Sequence, residues 1–200
     1  TSGSLISVTS INSALNSGTS VSISTTSQLS GGTITVSGSI LKSAGGAATL
    51  TLTGGNITLG SSGAGHSITA SGTGVGALSV TLNVSPIGDS PTLNSYADMN
   101  LNGGTFTVIN YKVSDYKYYG KISGDTALVI INGTSGKDGW FWLYNSLNDF
   151  TRGIAITNGY VVGAINGGLG LGPISINAGT LLLFEDSTIR SVGAVTIGTS

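Results

Sequence analysis

Short runs in which an aliphatic residue alternates with Ser or Thr recur along most of this 200-residue chain. Clear examples are 33–36 (TITV), 49–52 (TLTL) and 78–82 (LSVTL). A period of two places the aliphatic side chains on one side of an extended strand and the hydroxyl side chains on the other. Because no window keeps a helical period, the sequence predicts an all-β fold with almost no helix.

The runs also resemble one another. The phrase Gly-Gly-Thr-apolar-Thr-Val occurs at 31–36 and again, with irregular spacing between the repeats, at 103–108. Repeated short strands separated by Gly and Ser turns predict a right-handed parallel β-helix, or β-solenoid. An antiparallel β-sandwich of short strands is the alternative. The side chains predicted to lie inside are Ile34, Val36, Leu50, Leu52, Ile57, Leu59, Leu78, Val80, Ile174 and Ile176.

Aromatic residues divide the chain into three parts. Residues 1–95 contain none, whereas twelve of the thirteen lie between Tyr96 and Tyr160. After Tyr160 the composition is again rich in Gly, Ser and Thr. We therefore predict a β-helix scaffold over 1–95, an aromatic-rich insertion or variable coils over 96–160, and a continued scaffold over 161–200.

Composition excludes several classes of function. With a net charge of −1, the chain lacks the excess positive charge that binding to nucleic acid requires. Because it contains no cysteine, it has no disulfide and no thiolate metal site. His66 is the only histidine, so a histidine-based triad cannot form. Glu185 and Asp186, with Arg190 nearby, are the only adjacent acidic residues, and we interpret them as a solvated loop. We therefore predict that the protein is not an enzyme and has no metal site or cofactor.

Two aromatic clusters, at 111–119 and 140–144, are the candidate binding residues. In the second cluster, alternation places Trp140, Trp142 and Tyr144 on one face of a strand. Exposed aromatic rows stack on sugars or anchor protein partners. The predicted ligand-binding residues are Trp140, Trp142, Tyr144, Tyr116, Tyr118 and Tyr119. The alternative is a satellite core packed on the flank of the solenoid.

Three asparagines match the acceptor pattern for N-glycosylation. They are Asn56, Asn83 and Asn132, each followed by Ser or Thr two positions later. Because a chain rich in Ser and Thr produces such matches by chance, they are weak candidates for glycosylation.

Five longer segments of the sequence resemble those of a known protein family. They are 6–23 (ISVTSINSALNSGTSVSI), 32–40 (GTITVSGSI), 47–52 (AATLTL), 56–59 (NITL) and 176–183 (INAGTLLL). These phrases resemble segments of the filamentous-haemagglutinin-like exoproteins of two-partner secretion, and the resemblance fails across about 96–160. It implies a large bacterial protein that crosses the outer membrane through a dedicated transporter and folds outside as a β-helix. The Asn-Pro-Asn motifs of that family's secretion domain are missing, so we expect a passenger fragment.

The resemblance also implies a function at the cell surface, in cell adhesion or biofilm formation. We expect an extracellular structural and adhesive module that binds a host or neighbouring-cell surface through a glycan or a protein receptor. The alternative is a self-assembling filament or surface-layer subunit joined by strand pairing, through exposed coil ends or through a free strand from residues 1–15. Ice binding through Thr-x-Thr arrays is a further hypothesis, against which the irregular repeat spacing argues.

Overall fold

Parallel strands stack in three faces and make this chain a β-solenoid, as the sequence predicted. The computed structural model describes residues 5–25, 32–84, 93–110, 115–132, 140–158, 160–163, 165–177, 181–184 and 195–198. Every strand pair within these ranges is parallel. The antiparallel sandwich is therefore wrong.

The first face is one eight-stranded sheet. With strands numbered in chain order, it contains β1 (Val21–Ser24), β4 (Ala48–Gly54), β7 (Leu78–Val84), β10 (Thr105–Asn110), β13 (Ala127–Asn132), β15 (Ile154–Asn158), β17 (Ile174–Ile176) and β19 (Val195–Ile197). Each inner strand of this sheet pairs with the strand one coil earlier and the strand one coil later, whereas β1 and β19 are its two terminal strands. The sheet therefore runs along the solenoid axis.

The second face consists of two sheets that follow each other along the axis. The first sheet pairs β2 (Thr33–Val36) with β5 (Asn56–Leu59). The second sheet contains β8 (Leu93–Ser95), β11 (Tyr116–Tyr118), β14 (Trp140–Leu143), β16 (Tyr160–Gly163) and β18 (Leu181–Phe184). The third face contains β3 (Ile40–Lys42), β6 (Ser67–Ala70), β9 (Asp98–Asn100) and β12 (Ile122–Ser123).

The core is built from columns of inward side chains in register. In the first face, Leu50, Val80, Phe106, Leu128 and Ile154 are successive register partners and are almost fully buried. A fully buried aliphatic side chain contributes about 1.5–3 kcal/mol to folding. Of the ten predicted core residues, nine are buried and Ile176 is partly buried.

Corners of variable length keep the strands in register. The coil from Leu50 to its partner Val80 is longer than the coil from Ile154 to its partner Ile174. Where a corner passes close to the next coil, glycine is required. A Cβ on Gly120, for example, would collide with the carbonyl oxygen of the coil before it.

Residues 96–160 are continuous with the rest of the solenoid. They supply β9 to β15 and the start of β16, which pair with strands before and after them. Their buried side chains belong to the same core as those of the scaffold. This segment is therefore a set of variable coils of the solenoid and not an insertion.

One helix, α1 (Val8–Asn16), precedes the first strand. It packs against β1, β3 and β4 and buries Ile11 and Leu15 in the core. The hypothesis of a free strand from residues 1–15 is therefore wrong for the helical part. The docked helix forms because its apolar side chains reach the open end of the first coil.

Candidate binding face

The strand β14 separates its side chains into an inner and an outer set. Phe141 and Leu143 are fully buried, whereas Trp140, Trp142 and the following Tyr144 are half-buried on the outside. This is the division that a period of two predicted. The three outer rings are therefore carried by a strand whose other side is anchored in the core.

A column of three tyrosines runs along the solenoid beside this strand. The ring centroids of Tyr96 and Tyr119 are 4.9 Å apart with planes 11° from parallel, and those of Tyr119 and Tyr144 are 5.0 Å apart at 13°. Neighbouring strands are about 4.8 Å apart, so the backbone register brings the rings into stacking distance. The register extends past the strand ends, since Tyr119 N donates to Ser95 O and Tyr144 N to Tyr118 O.

Two tryptophans extend the column sideways along β14. Trp142 lies 5.8 Å from Tyr144 between ring centroids, and Trp140 lies 5.9 Å from Trp142. The Lys117 ammonium is 5.9 Å from the centre of the Tyr144 ring, within the range of a cation–π interaction. The outer aromatic face is defined as Tyr96, Tyr119, Trp140, Trp142 and Tyr144.

Tyr116 and Tyr118 do not belong to this face, which corrects the prediction that both bind a ligand. They occupy the inward positions of β11 and are 1% and 0% exposed. The Tyr118 hydroxyl donates to Ala97 O at 2.6 Å, and the Tyr116 hydroxyl donates to Ile57 O at 3.2 Å. Burial raises the pKa of both phenols well above the ordinary value of 10.0. No ligand on the surface reaches these rings.

The inner rings form an aromatic cluster behind the outer aromatic face. Tyr116 stacks on Phe141 with centroids 5.6 Å apart, and Tyr118 lies 5.3 Å from Phe106. Aromatic pairs at such distances contribute about 0.5–1.5 kcal/mol each beyond their area burial. The interior is thus filled by the inward side chains. The outer rings are additional to this packing.

Two polar atoms beside the outer rings have no hydrogen-bond partner among the described residues. They are the side-chain oxygen of Asn94, an acceptor, and the indole nitrogen of Trp142, a donor. Lys117 lies between these two residues in the register of β8, β11 and β14. Both atoms are buried, so they offer a surface ligand no direct hydrogen bond.

Sequence reasoning missed Tyr96. It lies alone in the sequence, ahead of both aromatic clusters. No local sequence signal identifies it, because Tyr96 is linked to Tyr119 and Tyr144 through the coil register, in which they follow one and two coils later.

The predicted glycosylation residues lie on strands. Asn56 begins β5 and Asn83 lies within β7, and both side chains are half-buried. The Asn56 side chain donates to Thr33 Oγ1 at 3.5 Å. The side chain of Asn132 lies outside the described residues. Glycosylation at these positions stays a prediction.

Metal-ligating side chains are scattered in the described part of the chain. There, no three His, Asp or Glu side chains cluster in a way that would hold a metal ion. His66 is half-buried and immediately precedes β6. Glu185, Asp186 and Arg190 lie outside the described residues.

A hydroxyl row on the first face is more regular than the sequence suggested. Ser22, Thr51, Thr81 and Thr107 are successive register partners, because the corners absorb the variation in coil length. Irregular repeat spacing is therefore not a valid argument against an ordered array. The row ends after these four strands, since the next partner is Val129.

Comparison with known proteins gives no relative: no family model, no curated protein and no solved structure matches this chain. The resemblance to filamentous-haemagglutinin-like exoproteins stays a prediction. Within the described ranges, the chain has no helix with the length and apolarity that crossing a bilayer requires.

Proposed function

We propose that this chain is an extracellular adhesive module of a large secreted bacterial surface protein, and that its outer aromatic face binds a cell-surface glycan. One observation carries the proposal. Five half-buried aromatic rings lie side by side on the outside of a solenoid whose outward positions elsewhere are mostly Ser and Thr.

The energetics of aromatic rings support a binding role. Tyr and Trp supply large contact areas at little cost in rotamer entropy, and they dominate the energetics of many interfaces. Clusters of exposed apolar surface on soluble proteins mark interaction sites. The rings of Tyr116, Tyr118 and Phe141 are buried in the core behind the face, whereas the outer rings are only half-buried.

The aromatic rings of the face and the nearby Lys117 favour a glycan as the ligand. Sugars present apolar ring faces together with hydroxyls that both donate and accept hydrogen bonds. The apolar faces match the Tyr and Trp rings of the outer aromatic face. Lys117 adds a positive charge that would favour an acidic sugar. A protein receptor is the other ligand class.

The family resemblance supports the proposed location. Proteins of that family are exported by an outer-membrane transporter and act at the cell surface, and a β-solenoid is the fold that the resemblance implies. The transporter is therefore the proposed partner during secretion. The rigid solenoid would then hold the outer aromatic face away from the cell.

Binding to a panel of immobilised neutral and acidic polysaccharides tests the proposal. We expect the chain to bind at least one of them. Trp140→Ala combined with Trp142→Ala should weaken that binding by about thirtyfold or more, as loss of a hot-spot aromatic does. Thr51→Ala combined with Thr81→Ala, on the first face, is the matched control and should bind normally. Glycan binding that survives loss of both tryptophans would contradict the proposal.

A further inference from the structure

The α1 end of the solenoid carries three strand edges at once. Among the described residues, β1, β2 and β3 are the outermost strands of their sheets there, and each pairs with one neighbour, β4, β5 and β6 respectively. A strand edge with unused N–H and C=O groups is a template for pairing with another chain. α1 lies on this end of the solenoid.

Two asparagines of α1 cover the edge of β3. The side-chain oxygen of Asn12 accepts from Leu41 N at 3.1 Å. That of Asn16 accepts from Ser43 N at 2.7 Å and from Ala44 N at 3.2 Å. Four helical residues rise about 6 Å, and two strand residues advance about 6.7 Å. Asparagines one helical turn apart therefore meet alternate residues along the strand edge.

The helix depends on its docking. Ile11 and Leu15 bury their side chains against the solenoid, Ser7 caps the first turn, and Gly18 ends the helix with a φ of 79°. Nine residues are too few for a stable isolated helix, and Val, Thr, Ser and Asn have low helix propensity. A change that undocks α1 therefore also unfolds it and uncovers the strand edge.

We propose that this end is a self-association surface that α1 keeps closed, and that its partner, once α1 is displaced, is a second copy of this chain. A second copy has coils of the same three-sided outline, so it can pair with all three strand edges at once. A single extended peptide can add to only one edge. Leu41 on β3 is 43% exposed and adds apolar contact area.

Sedimentation of variants that undock α1 tests the proposal. Leu15→Asp places a carboxylate where the side chain is fully buried, so it should release the helix. Ser13→Asp, at an exposed position of the same helix, is the matched control. We expect Leu15→Asp to form dimers or larger species as concentration rises, and the parent and Ser13→Asp to stay monomeric. Emission of Trp140 and Trp142 verifies that the remaining coils stay folded.

A proline at position 41 distinguishes edge pairing from unspecific apolar contact. Leu41 N bonds to Asn12 on the free side of β3, whereas Lys42 O accepts from Ser71 N on the side of β6. Leu41→Pro therefore removes an edge donor without removing a bond to β6. Leu15→Asp with Leu41→Pro should return to monomer. A folded Leu15→Asp that stays monomeric, or a double variant that associates like Leu15→Asp, would overturn the proposal.

Discussion

The hydroxyl oxygens of Ser95 and Tyr116 lie 2.7 Å apart inside the solenoid. Ser95 Oγ accepts from Leu59 N at 3.0 Å, and the Tyr116 hydroxyl donates to Ile57 O at 3.2 Å. The two side chains thus satisfy backbone groups of β5 at the point where the second face passes from one sheet to the next. They replace ladder hydrogen bonds that β5 and β8 do not make.

Removing this bridge should destabilise the fold. Ser95→Ala leaves the buried N–H of Leu59 without its acceptor, which costs about 1–3 kcal/mol of unfolding free energy. Denaturant unfolding measures the change. Ser61→Ala, at an exposed position, is the control and should leave stability unchanged. Equal stability of the two variants would show that the bridge contributes nothing.

Alkaline pH should unfold the protein through its buried tyrosines. Burial raises the pKa of Tyr116 and Tyr118 above the value of 10.0 that applies in the unfolded chain. The unfolded state therefore loses these protons first, so stability is complete below pH 10 and falls as pH rises further. Each group contributes a slope of about 1.4 kcal/mol per pH unit above its unfolded pKa.

Unfolding free energies measured across this pH range check that prediction. Tyr118→Phe should remove roughly half of the slope that the two phenols produce. A slope that the substitution leaves unchanged would mean that the alkaline loss of stability comes from other groups.

The core columns make a simple prediction about Leu52. Its side chain is fully buried in β4, in register with Leu82. Leu52→Asp buries an unpaired carboxylate and should cost several kcal/mol, roughly 3 or more. Thermal melting measures the loss. A variant that melts like the parent would show that this strand is not part of the core.

The inner and outer rings of β14 should respond differently to truncation. Phe141→Ala removes a fully buried ring and should cost roughly 3–5 kcal/mol of stability. Trp142→Ala removes an outer ring that contacts Trp140 and Tyr144, which is worth about 1–2 kcal/mol. Chemical denaturation separates the two values. Equal losses would identify the outer rings as packing.

Alternation accounts for most of what the sequence predicted correctly. Leu50, Leu52, Val80 and their equivalents lie inside because a period of two leaves no other way to bury the apolar side of a strand. The same rule would have separated Tyr116 and Tyr118 from Tyr119, since they occupy opposite faces. Grouping all three by composition led to the wrong assignment of the first two.

For residues 8–16, composition failed to predict the helix. Ser, Thr and Asn dominate the segment and made it resemble the strands around it. Yet Val8, Ile11 and Leu15 have helical spacing, with Ser7 before them and Gly18 after them as capping residues. The helix forms because docking buries two of these side chains. The sequence does not show which residues of successive coils are register partners, because the corners between the strands differ in length.

The most direct test of the outer aromatic face is a fluorescence titration, because Trp140 and Trp142 are the two tryptophans of the chain and both lie in it. The polysaccharide of the immobilised panel that the protein binds best is added in soluble form to the protein in solution, and tryptophan emission is recorded. A saturable change in emission is expected, with a midpoint that shifts to about thirtyfold higher concentration in Tyr144→Ala. Saturable binding by calorimetry without any change in emission would place the glycan elsewhere and contradict the account.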